Sequence, residues 1–187
     1  MKVTVFGGAR PVAGDPTYQM AYDLGALLAQ AGHTVLNGGY IGTMEAVSRG
    51  AYEEGGHVMG VTCDEIENWR NVAPNDYLTE EVRFETLKQR LAYLMDAADA
   101  AVALPGGLGT MVELSLMWNE IAIEARPKIP LILVGIGWQE TFEAFFANLG
   151  TFVREEDRAL LTFVSDVDGV IPVLEQFQVA NGESPLA

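Results

Sequence analysis

The chain has 187 residues, of which 49% are hydrophobic, which is enough to bury a full core as one domain over residues 1–187. Its 26 acidic and 11 basic residues give a net charge of −15, so we expect neither nucleic acid nor an acidic membrane surface as a partner. No signal peptide or membrane-spanning apolar run is recognisable, and the single Cys63 has no disulfide partner within the chain. These features predict a cytoplasmic location.

Short apolar strands alternate along the chain with amphipathic helices. The predicted strands are Lys2–Phe6, Thr34–Leu36, Val58–Val61, Ala100–Leu104, Ile129–Val134 and a less regular one at Leu161–Val164. The predicted helices are Thr17–Gln30, Thr43–Glu54, Thr86–Ala97, Gly109–Ala125, Gln139–Asn148 and Asp168–Val179. Because each parallel strand needs a crossover, this alternation favours an α/β, Rossmann-like, doubly wound and mainly parallel sheet with helices on both faces. Ligands of such folds bind beyond the carboxyl ends of the strands.

Glycine-rich turns follow the first two predicted strands, at residues 7–10 (GGAR) and 38–43 (GGYIGT). Glycine has no Cβ atom, so the backbone of these turns can approach an anion closely. We therefore expect the turns to meet in one ligand cleft, although the second turn can also need glycine only for its conformation and Arg10 can also be a solvated loop residue. The phosphate-binding residues predicted in these turns are Gly8, Arg10, Gly38, Gly39 and Gly42.

The longest predicted irregular stretch runs from Asp64 to Asp76 and contains Trp69. Loops of this length often act as lids or specificity loops, and we expect one here. Trp69 either stacks on a planar base or packs at an interface. Further along the chain, Thr86 is expected to cap a helix that carries Arg90. The guanidinium of Arg90 predicts a ligand contact, with a surface ion pair as the alternative.

The most informative motif is residues 104–113 (LPGGLGTMVE), a glycine turn between an apolar strand and a helix. Several backbone N–H groups point at one spot in such a turn, and the helix that begins near Gly109 adds the positive end of its dipole. Glu113 is expected in the first turn of this helix, where the field favours its ionised form. A tight connection that binds nothing is the alternative. Because no turn has the G-x-G-x-x-G or P-loop lysine pattern, a single phosphate is the expected ligand. The residues predicted to bind it are Gly106, Gly107, Gly109 and Thr110.

The glycines of residues 38–42, Arg90 upstream of Asp99, and residues 105–110 followed by Glu113 resemble the motifs of the LOG ("lonely guy") family, once labelled lysine decarboxylases. The resemblance covers about Lys2 to Val134. It implies a Rossmann-like homodimer that hydrolyses the N-glycosidic bond of a nucleoside 5′-monophosphate, of the AMP or cytokinin riboside type, to free base and ribose 5-phosphate. It also implies catalytic roles for Arg90 and Glu113 and phosphate contacts from Gly107, Gly109 and Thr110.

Two positions depart from the family pattern. The family's arginine is usually followed by a lysine, and here that position is Leu91. The usual glycine after Met44 is Glu45 in this chain. The base that the site prefers is therefore left open.

Neither a cofactor nor a metal site is predicted. A pyridoxal phosphate decarboxylase needs a lysine for its Schiff base, and Lys2, Lys88 and Lys128 all lie outside the glycine turns. His33 and His57 are isolated and have no metal-ligand spacing.

The residues permit a mechanism that agrees with the resemblance. Cleavage of a base from ribose passes through an oxocarbenium-like state, which a carboxylate can stabilise while it orients or deprotonates a water molecule. We assign this role to Glu113. Arg90 can bind phosphate or sugar oxygens, or stabilise charge on the departing base. A non-catalytic nucleotide or cofactor carrier, resembling molybdenum cofactor carrier proteins, is the alternative function.

An apolar stripe follows the glycine motif along its predicted helix. We expect it to form part of a homodimer interface, with packing in the protein's own core as the alternative. The stripe consists of Leu114, Met117, Trp118 and Ile121.

Overall fold

A computed structural model describes residues 1–182 of the chain. Residues 183–187, which belong to the predicted domain, lie outside the described residues. The strands are β1 (Lys2–Phe6), β2 (Thr34–Asn37), β3 (Val58–Cys63), β4 (Glu80–Phe84), β5 (Ala100–Ala103), β6 (Leu131–Val134) and β7 (Leu161–Val164). The helices are α1 (Pro16–Gln30), α2 (Thr43–Glu53), α3 (Asp64–Arg70), α4 (Leu87–Asp96), α5 (Leu108–Ala122), α6 (Ile136–Leu149), α7 (Glu155–Arg158) and α8 (Val170–Ala180).

The seven strands form one parallel sheet in the order β4-β3-β2-β1-β5-β6-β7. The chain builds the sheet outward from β1 to β4, returns to place β5 beside β1, and then builds outward in the other direction. The predicted α/β, doubly wound class is confirmed. The point at which the strand order reverses lies between β1 and β5, where two crossovers leave in opposite directions and open a crevice.

Strand side chains alternate between two cores, one on each face of the sheet. Val3 and Val5 of β1 point into a core shared with α1, α2 and α8, whereas Phe6 points into a core shared with α4, α5 and α6. Because helices cover both faces of the sheet, the central strands are buried throughout. This burial explains why their residues are apolar.

Among the strands and helices of residues 1–182, β4, α3 and the short α7 were not predicted. The strand β4 lies at the edge of the sheet, and its sequence EEVRF carries charged residues that mask an apolar pattern. The segment expected to be irregular from Asp64 begins with α3, so this part of the prediction is wrong. A left-handed residue, Asn71 with φ of 51°, ends that helix and returns the chain toward β4.

Within residues 1–182, none of the helices combines the length and apolar character needed to cross a bilayer.

Candidate active site

A cavity of about 870 Å³ lies over the carboxyl ends of β1 and β5, at the reversal of strand order. The structure brings all three glycine turns to it, together with α3 and the first turns of α4. Predicted site residues in its wall are Gly8, Arg10, Gly38, Arg90, Gly106, Gly107, Gly109, Thr110 and Glu113. The predicted single cleft is therefore present, and its size suits a nucleotide-sized ligand.

The turn after β1 is tied to both of its neighbours. The N–H of Gly8 donates to the carbonyl of Pro105 at 3.2 Å, and the carbonyl of Gly8 accepts from the N–H of Thr43 at 2.9 Å. The hydroxyl of Thr43 donates to the same carbonyl at 3.1 Å. A Cβ atom on the preceding Gly7 would overlap this hydroxyl, so glycine is required for the close approach. Arg10 follows as an exposed residue in the cavity wall.

The turn after β5 opens directly into α5. The helix begins at Leu108 rather than at the predicted Gly109, and no side chain of the described residues caps its start. The first N–H groups of a helix have no partner within it, so those of Leu108, Gly109 and Thr110 are available to a ligand. A Cβ atom on Gly107 or Gly109 would meet nothing within 4 Å, whereas one on Gly106 would overlap the buried Thr110 side chain. The turn thus combines free donors with open space, which suits a phosphate.

The turn after β2 contributes Gly38 and Tyr40 to the cavity wall. Gly38 lines the cavity, but Gly39 and Gly42 do not. Both of these have positive φ, of 77° and 76°, where L side chains are strained. The N–H of Gly39 already donates to Oδ1 of Asn37 at 2.7 Å. The structure therefore gives Gly39 and Gly42 a role in shaping the turn, which was the alternative interpretation of this motif.

Arg90 and Glu113 face each other in the wall of the cavity. The Nη1 atom of Arg90 lies 3.6 Å from Oε1 of Glu113, and the two side chains are only 4% and 13% exposed. The Nε–H of Arg90 donates to the carbonyl of Val61 at 2.7 Å, and its Cζ lies 5.8 Å from the ring centroid of Tyr40. A surface ion pair, the alternative for Arg90, is wrong because the pair is buried.

Burial raises the pKa of Glu113 to about 7, although the attraction of Arg90 opposes this shift. The expectation that the helix field favours the ionised form is wrong for two reasons. Glu113 lies in the second turn of α5, beyond the first turn in which the dipole acts strongly. The loss of water around the carboxylate outweighs its favourable contact with Arg90. The side chain is consequently poised to exchange a proton near neutral pH.

The far end of the cavity is formed by α3 and α4. Ile66, Trp69 and Arg70 reach it from α3, and Leu87 and Leu91 from α4. Trp69 is 77% exposed, and the Cζ atom of Arg70 lies 5.1 Å from its ring centroid. This end is therefore mostly apolar, with one cation at its rim.

The apolar stripe of α5 belongs to the core. Leu114, Met117 and Ile121 are buried in the core formed with α4 and α6. Trp118 packs edge-on against Phe142, and its indole N–H donates to the carbonyl of Asp157 at 2.7 Å. The prediction that this stripe forms a homodimer interface is wrong, because the protein's own aromatic residues cover it. The homodimer itself stays a prediction.

Two residues that support the site were not predicted. The hydroxyl of Tyr40 accepts from the N–H of Cys63 at 2.7 Å and donates to its carbonyl, which fixes the ring beside Arg90. The indole N–H of Trp138 donates to the carbonyl of Leu104 at 3.1 Å, directly before the glycine turn that follows β5. No local pattern marks either contact, since each joins residues that are distant in sequence.

The cavity does not fit a pyridoxal phosphate enzyme. None of the three lysines of the chain, Lys2, Lys88 and Lys128, contributes to its lining. A Schiff base with the cofactor requires such a lysine.

Several curated proteins are similar to this chain over most of its length. A cytokinin riboside 5′-monophosphate phosphoribohydrolase of Rhodococcoides fascians is 33% identical, over 92% of this chain and 88% of its own. A protein of the same name from Mycobacterium marinum is 32% identical, over 90% of each chain. An uncharacterized protein of Archaeoglobus fulgidus is 29% identical, over 76% of this chain and 90% of its own.

Solved structures share the fold. The molybdenum cofactor binding protein of Rippkaea orientalis superimposes with a TM-score of 0.72 at 23% identity, covering 94% of this chain and 96% of its own. The molybdenum cofactor carrier protein of Chlamydomonas reinhardtii gives 0.71 at 23% identity, covering 95% and 98%. At this identity the likeness shows the fold alone.

The family assignment comes from the sequence. Residues 44–174, which include Arg90, the glycine turn after β5 and Glu113, match the family described as "Possible lysine decarboxylase". The phosphoribohydrolases named above carry the activity by which the LOG family is known. With a match over most of its length and relatives above 30% identity, the chain belongs to the LOG family.

Proposed function

We propose that the protein hydrolyses the N-glycosidic bond of a nucleoside 5′-monophosphate and releases the free base and ribose 5-phosphate. The observation that carries this proposal is the buried pair of Arg90 and Glu113 in the same cavity as the uncapped start of α5. A carrier needs a binding cleft but has no need of a buried carboxylate whose pKa is raised to about 7. The relatives named as phosphoribohydrolases support the same reaction.

The phosphate is assigned to the start of α5. Its free N–H groups and the positive end of the helix dipole attract a dianion locally, although the net charge of the whole chain is −15. Arg10 in the turn after β1 adds a cation beside this point. The phosphate takes no part in the reaction itself. Its binding energy holds the ribose in position for the reaction at C1′.

Glu113 is assigned to the sugar carbon. In its ionised form it accepts a proton from a water molecule while the oxygen of that water forms a bond to C1′. The C1′–N bond breaks, its electron pair stays with the base nitrogen, and the base takes up the proton that Glu113 accepted, directly or through water, which regenerates the carboxylate. The carboxylate also stabilises the positive charge that develops on the sugar ring.

Arg90 is assigned to the same reacting end. Its Nε–H is occupied by Val61 and its Nη1 faces Glu113, so its remaining N–H groups are the ones that a ligand can use. Because this guanidinium lies beside the carboxylate, we assign it to the sugar oxygens or to the departing base. It also lowers the cost of keeping Glu113 ionised in a buried position.

A homodimer completes the proposal and rests on the family resemblance, while the cytoplasmic location rests on the single Cys63, which suits a reducing compartment. The outer side of α5 keeps Leu108 and Val112 exposed beside the cavity, and these residues replace the core stripe as the apolar surface available to a second copy. Light scattering at micromolar concentration should give twice the mass of one chain. A monomer mass would contradict the homodimer and leave the proposed reaction intact.

The proposed reaction is tested by incubating purified protein with AMP, GMP, CMP and isopentenyladenosine monophosphate and separating the products by chromatography. We expect free base and ribose 5-phosphate to appear in equal amounts from at least one nucleotide. Calorimetry should show tighter binding of the monophosphate than of the matching nucleoside. If nucleotides bind but none of them is hydrolysed, the hydrolase function is rejected and the carrier function is favoured.

A further inference from the structure

The two ends of the cavity lie over different strands of the sheet. The strand order places β3 three positions from β5, which corresponds to about 14 Å between their carboxyl ends at the usual strand spacing. The glycine turn at residues 105–109 follows β5, and α3 follows β3. If the phosphate binds at α5, as the proposed function requires, the base extends toward α3. In that orientation the side chains of α3 that line the cavity are the ones nearest the base.

The α3 end of the cavity offers hydrogen-bond donors but few acceptors. Its side chains are the apolar Ile66, Leu87 and Leu91, the indole of Trp69, and the guanidinium of Arg70. None of these carries a carboxylate or an amide oxygen, and both polar groups only donate. Among all the described residues that line the cavity, Glu113 is the single carboxylate, and it faces Arg90.

The guanidinium of Arg70 is free to bind a ligand. It lies over the Trp69 ring, at 5.1 Å from Cζ to the ring centroid, and forms no ion pair within residues 1–182. Arg83 of β4, in contrast, forms ion pairs with Asp64 and Glu67 of α3. Of the arginines near α3, Arg70 thus keeps its donors uncommitted, on a flat aromatic support that suits a stacked base.

We propose that Arg70 reads the base, and that the protein prefers 6-oxopurine nucleotides, GMP and IMP, to AMP. The fork of a guanidinium matches the adjacent O6 and N7 acceptors of a 6-oxopurine. Adenine presents an amino group in place of O6, which would bring two donors together and leave both without a partner. The exocyclic amine of cytosine is disfavoured for the same reason. This assignment differs from the adenine type that the family resemblance implies, because it follows the donors that this chain places at its α3 end.

The test is to measure kcat/KM for GMP, IMP, AMP and CMP with the wild type and with Arg70→Ala, Arg70→Lys and Arg154→Ala. A bidentate contact is worth about 1–3 kcal/mol, so the wild type should prefer GMP and IMP to AMP by about 10- to 100-fold. Arg70→Ala should remove most of this preference, chiefly by lowering the values for GMP and IMP. Arg70→Lys should keep only part of it, since an ammonium lacks the fork. Arg154→Ala removes the same charge far from the cavity and should keep the wild-type ratio.

Two results would overturn the assignment. One is a wild type that uses AMP as well as or better than GMP. The other is an Arg70→Ala variant in which all four nucleotides fall by the same factor, which would indicate a general role in binding. The outcome is separable from that of the proposed function, because calorimetric titration of Glu113→Gln with GMP and AMP measures the preference without turnover. If no nucleotide is hydrolysed but GMP binds more tightly than AMP only when Arg70 is present, the proposed reaction fails and the base assignment stands.

Discussion

Gly38 lies directly against the guanidinium of Arg90. A Cβ atom at position 38 would overlap Nη2 of Arg90 and would lie 2.6 Å from Sδ of Met44. The guanidinium cannot simply swing away, because its Nε–H is bonded to Val61 and its Nη1 faces Glu113. Gly38, in the turn after β2, therefore sets the position of the Arg90 guanidinium, which comes from α4.

Gly38→Ala should displace the guanidinium of Arg90 and lower kcat/KM by roughly 10- to 100-fold, since small misplacements of a reacting group are costly. The backbone of Gly38 has no positive φ, so the effect comes from the added methyl group. The matched control is Gly137→Ala, where a Cβ atom meets nothing within 4 Å. Steady-state kinetics of both variants test this. Equal activity of Gly38→Ala and wild type would show that the position of Arg90 is unimportant.

Glu113→Gln should lower kcat strongly while nucleotide binding survives. The substitution keeps the shape of the side chain but removes the charge and the base, a loss typically worth a factor of about 10² to 10⁴ in kcat. The N–H groups at the start of α5 are unchanged, so the Kd for the nucleotide should stay within a few-fold of wild type. Calorimetry and product analysis measure the two quantities separately. A variant that hydrolyses nucleotide at the wild-type rate would remove Glu113 from the mechanism.

Arg90→Ala should weaken both binding and turnover, in contrast to Glu113→Gln. It removes the cation that we assign to the substrate and leaves the buried Glu113 without its partner, which should raise the pKa of that carboxyl further. At pH 7 the base would then be largely protonated. The measurement is kcat and KM at pH 7 and pH 9, where higher pH should restore part of kcat by ionising Glu113. A variant with wild-type kcat at both values would contradict the assignment.

The pH dependence of the reaction should follow the pKa of Glu113. A general base acts when ionised, so kcat/KM should rise about tenfold per pH unit below a pKa of about 7 and level off above it. The second ionisation of the substrate phosphate falls near pH 6, so the residual activity of Glu113→Gln serves as the control for that group. A wild-type profile that is flat between pH 5.5 and pH 8, or one that falls with rising pH, would exclude Glu113 as the base.

The same pKa shift affects the stability of the fold. Because the pKa of Glu113 is raised in the folded state above its ordinary value of 4.5, the carboxyl binds its proton more tightly when folded. Its stabilising contribution is present below pH 4.5 and is lost as the pH rises through about 7. Thermal unfolding of Glu113→Gln should lack this component, so its Tm relative to wild type should increase between pH 5 and pH 8.

Trp138→Phe should weaken phosphate binding through the turn after β5. The substitution keeps an aromatic ring in the core but deprives the Leu104 carbonyl of its indole donor, which costs about 1–3 kcal/mol of unfolding free energy for a buried group. Since Leu104 precedes the turn, KM should rise while kcat changes less. Trp118→Phe is the matched control, because it loses a similar bond to the Asp157 carbonyl away from the cavity. A similar loss of stability in both variants with no difference in KM would assign Trp138 to the core alone.

Local patterns in the sequence determined the fold class and the position of the glycine turn after β5. Apolar strands such as Ala100–Ala103 are recognisable because helices cover both faces of the sheet, which leaves every central strand residue buried. The glycines of residues 104–113 are recognisable because Gly106 packs against Thr110 with no room for a Cβ atom, while Gly107 and Gly109 leave the start of α5 open. The edge strand β4 escaped prediction for the converse reason: part of it faces solvent, so its residues are not uniformly apolar.

Contacts between distant residues were decided by the tertiary structure alone. The pairing of Arg90 with Glu113 depends on how α4 and α5 pack against the sheet, and the raised pKa of Glu113 depends on the water that this packing excludes. The same packing buried Leu114, Met117 and Ile121, although the sequence was interpreted as placing this stripe in a homodimer interface. Spacing along a helix reports which residues share a face. It does not report what covers that face, because burial and electrostatic attraction depend on neighbours that the chain supplies from elsewhere.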